Sequence, residues 1–181
     1  MRVFVDTSAL YALLDEDDAN HARAAKAFAE LQGSELMTHA YVLVETLALV
    51  SRRLGWAAVV RLLDGLVAVV TVVPVDPGTH ESAVAAYRDG GSIQVSFVDR
   101  TSFAFMRANR IDDAFAFDAH FASAGFQSVG QKFGRHENSA VSGGRSPGSR
   151  LSPAEREAVE AEAASMPLPG RPQRVRVRWD D

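Results

Sequence analysis

The segment Val3-Phe4-Val5-Asp6-Thr7-Ser8-Ala9-Leu10-Tyr11-Ala12-Leu13-Leu14 changes period partway along. Val3 to Val5 is a short apolar run of the kind that fills a buried strand. From Thr7 to Asp15 the apolar side chains recur at helical spacing, with Leu10, Leu13 and Leu14 on one face. Asp6 stands where strand gives way to helix. An aspartate there caps the helix well. The same position is also where open α/β sheets place their chemistry.

The alternation continues along the chain. Asn20 to Leu31 reads as a helix with Ala22, Ala25, Phe28 and Ala29 as its packing stripe. A short strand is expected over Glu35 to Thr38. A long apolar helix should run from His39 to Leu54 and end at Gly55, followed by one over Trp56 to Val69. Thr71 to Val75 is β-branched and reads as a buried strand. Pro77 suits the first turn of a helix reaching about Arg88, and Asp89-Gly90-Gly91-Ser92 reads as a turn. A helix over Phe97 to Asn109, a strand over Ala114 to Phe117 and a last strand over Gln127 to Val129 complete the pattern. Asp112 and Asp113 read as turn residues. Short apolar strands separated by helices predict an α/β fold with a central parallel sheet between helical layers, a three-layer α/β/α sandwich.

This pattern occupies residues 1–133. From 134 to 181 the character changes. His136 to Arg150 is rich in Ser, Gly, Arg and Pro and reads as a linker. Ser152-Pro153-Ala154-Glu155 has the form of a capping box with proline at the first helical position, so a short helix is expected over 152–165. A basic end follows, in which Arg174, Arg176 and Arg178 alternate with Val175, Val177 and Trp179.

Composition narrows the function classes. There is no cysteine, which excludes disulfides, thiolate metal ligands and a cysteine nucleophile. The formal net charge is -4, which argues against a dedicated, sequence-indifferent nucleic-acid binder. The acidic excess lies in residues 1–129. The N-terminal apolar run is too short, and too soon acidic, for a secretory signal, and no stretch reaches the length of a membrane span. A cytoplasmic protein is expected.

Four acids resist a purely structural reading. Asp6 and Asp118 stand at the ends of predicted parallel strands. Glu45 interrupts the apolar run Val42-Leu43-Val44 and Leu47-Ala48-Leu49-Val50. Its helical neighbours Tyr41, Val42, Ala48 and Leu49 offer no counter-charge, so an ionised carboxylate there needs a cation or a wet cleft. Asp99 follows Ser96 at capping-box spacing, which gives it a structural role without excluding another. Converging carboxylates repel by ~4 kcal/mol per close pair at an effective dielectric of 20. A hard divalent cation relieves that repulsion, because it prefers oxygen ligands.

In order and spacing, VFVDTSALYALL (Val3–Leu14), VLVETLALVSRRLG around Glu45, SFVDRTSFAFMRANRI (Ser96–Ile111) and AFAFDAHFASAGF (Ala114–Phe126) resemble the PIN domain, in its bacterial VapC-like branch. The resemblance covers about residues 1–130. It implies a PIN-like sandwich and an Mg²⁺- or Mn²⁺-dependent endoribonuclease. It also implies Asp6, Glu45, Asp99 and Asp118 as the catalytic, metal-binding acids. Thr7 and Ser8 would orient Asp6 or a metal-bound water, and Ser102 would do the same beside Asp99. It further implies an RNA substrate, a partner antitoxin of a type II toxin–antitoxin pair, and a homodimer. The residues after about Gly134 depart from the pattern. Arg52, Arg53, Arg100, Arg107 and Arg110 carry two readings, phosphate contact or solvated helix surface, and so does His120 beside Asp118. The alternative for the whole chain is a PIN-like interaction module without catalysis. An aspartyl phosphatase is disfavoured, since the position two after Asp6 is Ser8.

Overall fold

The computed structural model describes residues 1–90 and 94–129. The expected linker, the helix over 152–165 and the basic end all lie outside those residues. The elements, in order, are β1 (Arg2–Val5), α1 (Thr7–Leu14), α2 (His21–Glu30), β2 (Glu35–His39), α3 (Ala40–Arg53), α4 (Trp56–Arg61), β3 (Thr71–Val73), α5 (Pro77–Gly90), α6 (Phe97–Ala108), β4 (Asp113–Phe115), α7 (Ala119–Ser123) and β5 (Gln127–Ser128).

All four strand pairings are parallel, in the order β3-β2-β1-β4-β5. The chain steps from β1 outward to β2 and β3, then returns past β1 to β4 and β5. With right-handed crossovers, α1 to α4 cover one face and α5 to α7 the other. The ring contacts agree. Phe4 meets Phe105 of α6 and Phe121 of α7, while Phe115 stacks on Phe28 of α2. Val3, Phe4, Val5, Ala114 and Phe115 are all buried, as expected of strands covered on both faces. Fully burying a phenylalanine such as Phe4 stabilises the fold by about 1.5–3 kcal/mol.

The reversal of strand order falls between β1 and β4, where open sheets form a crevice beyond their carboxyl ends. The Asp6 N–H donates to the Phe115 carbonyl at 3.1 Å, so the ladder holds the two exits together.

Several expected elements are corrected. The helix over Trp56 to Val69 is not continuous: α4 ends at Arg61, a π turn covers Leu62–Leu66 and a 3₁₀ turn Val67–Val69. Gly65 and the β-branched Val67, Val69 and Val70 favour helix weakly, which fits the break. Thr71 to Val75 is not a buried strand. β3 stops at Val73 and forms a half-exposed sheet edge, since Pro74 has no N–H to extend a ladder. Asp113 is no turn residue; it opens β4 opposite Val3. The strand ends at Phe115 rather than Phe117, because the Phe117 N–H leaves the ladder for the Ser8 hydroxyl. Asp89 and Gly90 belong to α5 rather than to a turn.

Candidate active site

Asp6 ends β1 and caps α1. Its Oδ2 accepts from the Ser8 backbone N–H at 2.9 Å and from the Ser8 hydroxyl at 2.6 Å. The Ser8 Oγ in turn accepts from the Phe117 N–H at 3.0 Å. One hydroxyl thus ties Asp6 to the exit of β4, one residue before Asp118. Thr7 makes the other link. Its hydroxyl donates to Glu45 Oε2 of α3 at 2.6 Å. Thr46, next to Glu45, places its Oγ1 3.2 Å from Thr7 Oγ1 and donates to the Val42 carbonyl at 2.7 Å.

Asp99 sits in the first turn of α6. Ser96 Oγ accepts from the Asp99 N–H at 3.0 Å, and Asp99 Oδ2 accepts from the Ser96 N–H at 2.8 Å, a complete capping box. The rings of Tyr41, His80 and Tyr87 pack around Phe97, two residues before Asp99, and clamp the start of α6 to α3 and α5. Asp118 caps α7, its Oδ1 accepting from the His120 N–H at 2.8 Å.

The acids fall into two overlapping groups. Asp6 is only 4% exposed, and burial pushes its carboxyl up to about 6. The two hydrogen bonds from Ser8 oppose that rise, and the charges of Asp99 and Glu45 add to it. Asp99 also stands with Asp118 and His120, each offering a ligand atom within 4.8 Å of the others. Asp99 is the member common to both groups. Among the described residues, none of the four carboxylates is ion-paired with a lysine or arginine. Carboxylates brought together this way, one of them reluctant to ionise, suit a divalent cation.

Hydrogen bonding within His39 and Ser102 supports α6 from below. His39 is fully buried at the end of β2. Its Nδ1 accepts from the Val42 N–H at 3.4 Å, and its Nε2 lies 3.0 Å from Ser102 Oγ, which donates to the Val98 carbonyl at 2.9 Å. Nδ1 as acceptor leaves the proton on Nε2, the neutral tautomer. Burial pulls this imidazole down to about 4, in keeping with that form. Nothing in the sequence marks His39 for this role, because its partner Ser102 lies 63 positions away.

The arginines divide. Arg107 donates to the Ala124 carbonyl at 3.3 Å and covers the Phe126 ring, and Arg53 covers Tyr11. Arg110 takes a positive φ of 54° just past α6. Arg100 and Arg107 line a groove of about 720 Å³ that crosses α6 between α5 and α7 and reaches His120.

The model of the PIN domain matches residues 3–127. The chain is 41% identical over 128 residues to the 23S rRNA-specific endonuclease VapC20 of Mycobacterium tuberculosis, in each of two strains. That match takes in 70% of this chain and 97% of the relative, so this chain carries length the relative lacks. The crystal structure of Mycobacterium tuberculosis VapC20, described as a sarcin-ricin loop cleaving toxin, superposes with a TM-score of 0.63 at 39% identity. It covers 68% of this chain and 95% of that one. Sheet, residue order and relatives agree: this chain belongs to the PIN-domain family.

Proposed function

We propose that the protein is a divalent-cation-dependent endoribonuclease that hydrolyses RNA phosphodiester bonds, the toxin of a toxin–antitoxin pair. The observation that carries this reading is the convergence of Asp6, Glu45 and Asp99, and of Asp99 and Asp118, at the carboxyl edge of the sheet without a basic partner among the described residues. Asp6, Glu45, Asp99 and Asp118 would hold Mg²⁺ or Mn²⁺. A cation bound there supplies Lewis acidity toward the phosphodiester and toward an attacking water.

The chain's own residues do the positioning. Ser8 holds Asp6 by two hydrogen bonds, Thr7 holds Glu45 by one, and the Ser96 capping box holds Asp99. Fixed acids need no reorganisation when charge develops during the reaction. In-line attack by water would leave a 5′-phosphate and a 3′-hydroxyl.

The relatives support a substrate class. Identity of 41% across nearly the whole of a 23S rRNA-specific endonuclease supports large-subunit ribosomal RNA as the substrate, and with it a cytoplasmic place of action. Among the described residues, no helix is long and apolar enough to cross a membrane. An antitoxin and a second copy of the chain are the expected protein partners. Val44 on α3 and Trp56, Val60 and Leu63 after it are exposed apolar side chains of the kind such a partner would cover.

Purified ribosomes incubated with the full chain and Mn²⁺ or Mg²⁺, with primer extension along the large-subunit RNA, test the substrate. One dominant cut is expected. Uniform degradation, or no cut by a folded chain that binds the cation, would contradict this substrate.

A further inference from the structure

We propose that His120 is a nitrogen ligand completing a cation site with Asp99 and Asp118, so that the chain favours Mn²⁺, a borderline transition-metal ion, over Mg²⁺. This rests on reading the acids as a cation centre and names one more ligand in it.

Three observations carry the assignment. The three side chains each place a ligand atom within 4.8 Å of the other two. His120 Nδ1 lies 2.9 Å from Asp118 Oδ1. In an octahedron with bonds of about 2.1 Å, adjacent ligands stand about 3 Å apart and opposite ones about 4.2 Å. The spacing is therefore that of two adjacent ligands of one ion. Nδ1 is nevertheless shielded from solvent and has no aligned hydrogen-bond partner, so its closeness to the carboxylate is not a hydrogen bond. Two atoms at that separation that do not point at one another are free to share a third partner. The rest of both side chains is open: His120 and Asp118 are 33% and 38% exposed, so the carboxylate side of the pair can be reached from solvent.

The chemistry sets the preference. Mg²⁺ takes oxygen ligands and sheds water reluctantly, whereas imidazole suits the first-row transition metals. A site of carboxylates alone has less means to separate the two ions. One nitrogen donor adds affinity for Mn²⁺ while offering little to Mg²⁺.

The test uses the metal-free full chain, titrated with Mn²⁺ and separately with Mg²⁺ by calorimetry, and pulsed EPR of the Mn²⁺ form. His120→Ala and His120→Asn are compared with wild type and with Asp99→Asn, each checked for folding by circular dichroism. Wild type is expected to show ¹⁴N coupling to Mn²⁺, and both His120 variants to lose it. Those variants should bind Mn²⁺ on the order of tenfold more weakly and Mg²⁺ within about twofold of wild type. Mn²⁺ binding by wild type without nitrogen coupling, or equal loss of both ions in the His120 variants, would overturn the assignment and leave the carboxylate centre standing. Binding of neither ion by folded wild type would overturn the assignment together with the centre itself.

Discussion

Replacing Asp6 by Asn should make the metal-free protein more stable, in a pH window set by the Asp6 carboxyl. That carboxyl is 4% exposed and pushed from 3.8 up to about 6, first by burial and then by Asp99 and Glu45. The folded state therefore holds a proton that the unfolded state releases between about pH 4 and pH 6. Stability falls as pH rises through that window, by 1.36 kcal/mol per unit of pKa difference, or about 3 kcal/mol once Asp6 is fully ionised. Asn keeps an acceptor for the Ser8 N–H and hydroxyl, so the cap survives while the charge does not. Asp6→Asn should gain about 1–3 kcal/mol over wild type at pH 8 and nearly nothing at pH 4. The assay is urea unfolding of both full-length proteins in chelator across that range. Their difference matters more than either curve, because His39 acts in the opposite sense within an overlapping window. A variant no more stable than wild type at pH 8, or a gain that does not depend on pH, would refute the reasoning.

Further outcomes follow from named contacts. His39 is fully buried with its imidazole pulled down to about 4, so the unfolded chain binds a proton below about pH 6.5 that the fold refuses. His39 alone therefore withdraws stability as pH falls over that range, against the trend set by Asp6, so in thermal melts the stability of His39→Gln relative to wild type should rise as pH falls from about 6.5 to 4. Thr7→Val removes the 2.6 Å donor to Glu45 and should cost about 1–2 kcal/mol while weakening cleavage more than folding; equal loss of both would mean that Thr7 serves the fold alone. Ser96→Ala breaks one arm of the capping box on Asp99 and should cost about 1 kcal/mol in urea titrations. Saturating Mn²⁺ should raise the melting temperature of wild type, since an ion bound only to the folded form must do so, and should do so less in Asp99→Asn.

The alternation of apolar runs and helical stripes was enough to read a parallel sheet between helices, because strands covered on both faces leave continuous hydrophobic runs in the chain. Where local propensity is weak or the ladder is interrupted, the hydrophobic pattern misplaces the element ends. Gly65 and the valines after it broke a helix that hydrophobicity alone would continue. Ser8, more than 100 residues away, took the Phe117 N–H and ended β4 early. The acids could be picked out individually, but the contacts that hold them could not. Glu45 has no partner on its own helix, and the Thr7 hydroxyl that meets it lies 38 positions away. Asp99 illustrates a limit of choosing between readings. It is a capping residue, as its spacing with Ser96 suggested, and it also stands beside Asp118 and His120. His39 gave no signal in sequence, since a buried histidine engaged through both nitrogens looks like any other until its partners are in place.

The most direct test of the acidic centre is RNA cleavage by the full chain in Mn²⁺, in Mg²⁺ and in chelator, beside Asp6→Asn and Asp99→Asn. Discrete cleavage that requires the cation, leaves 5′-phosphate ends and disappears in both folded variants is the predicted result. Cleavage that survives chelator, or that persists in either variant, would contradict the assignment of these acids as the catalytic centre.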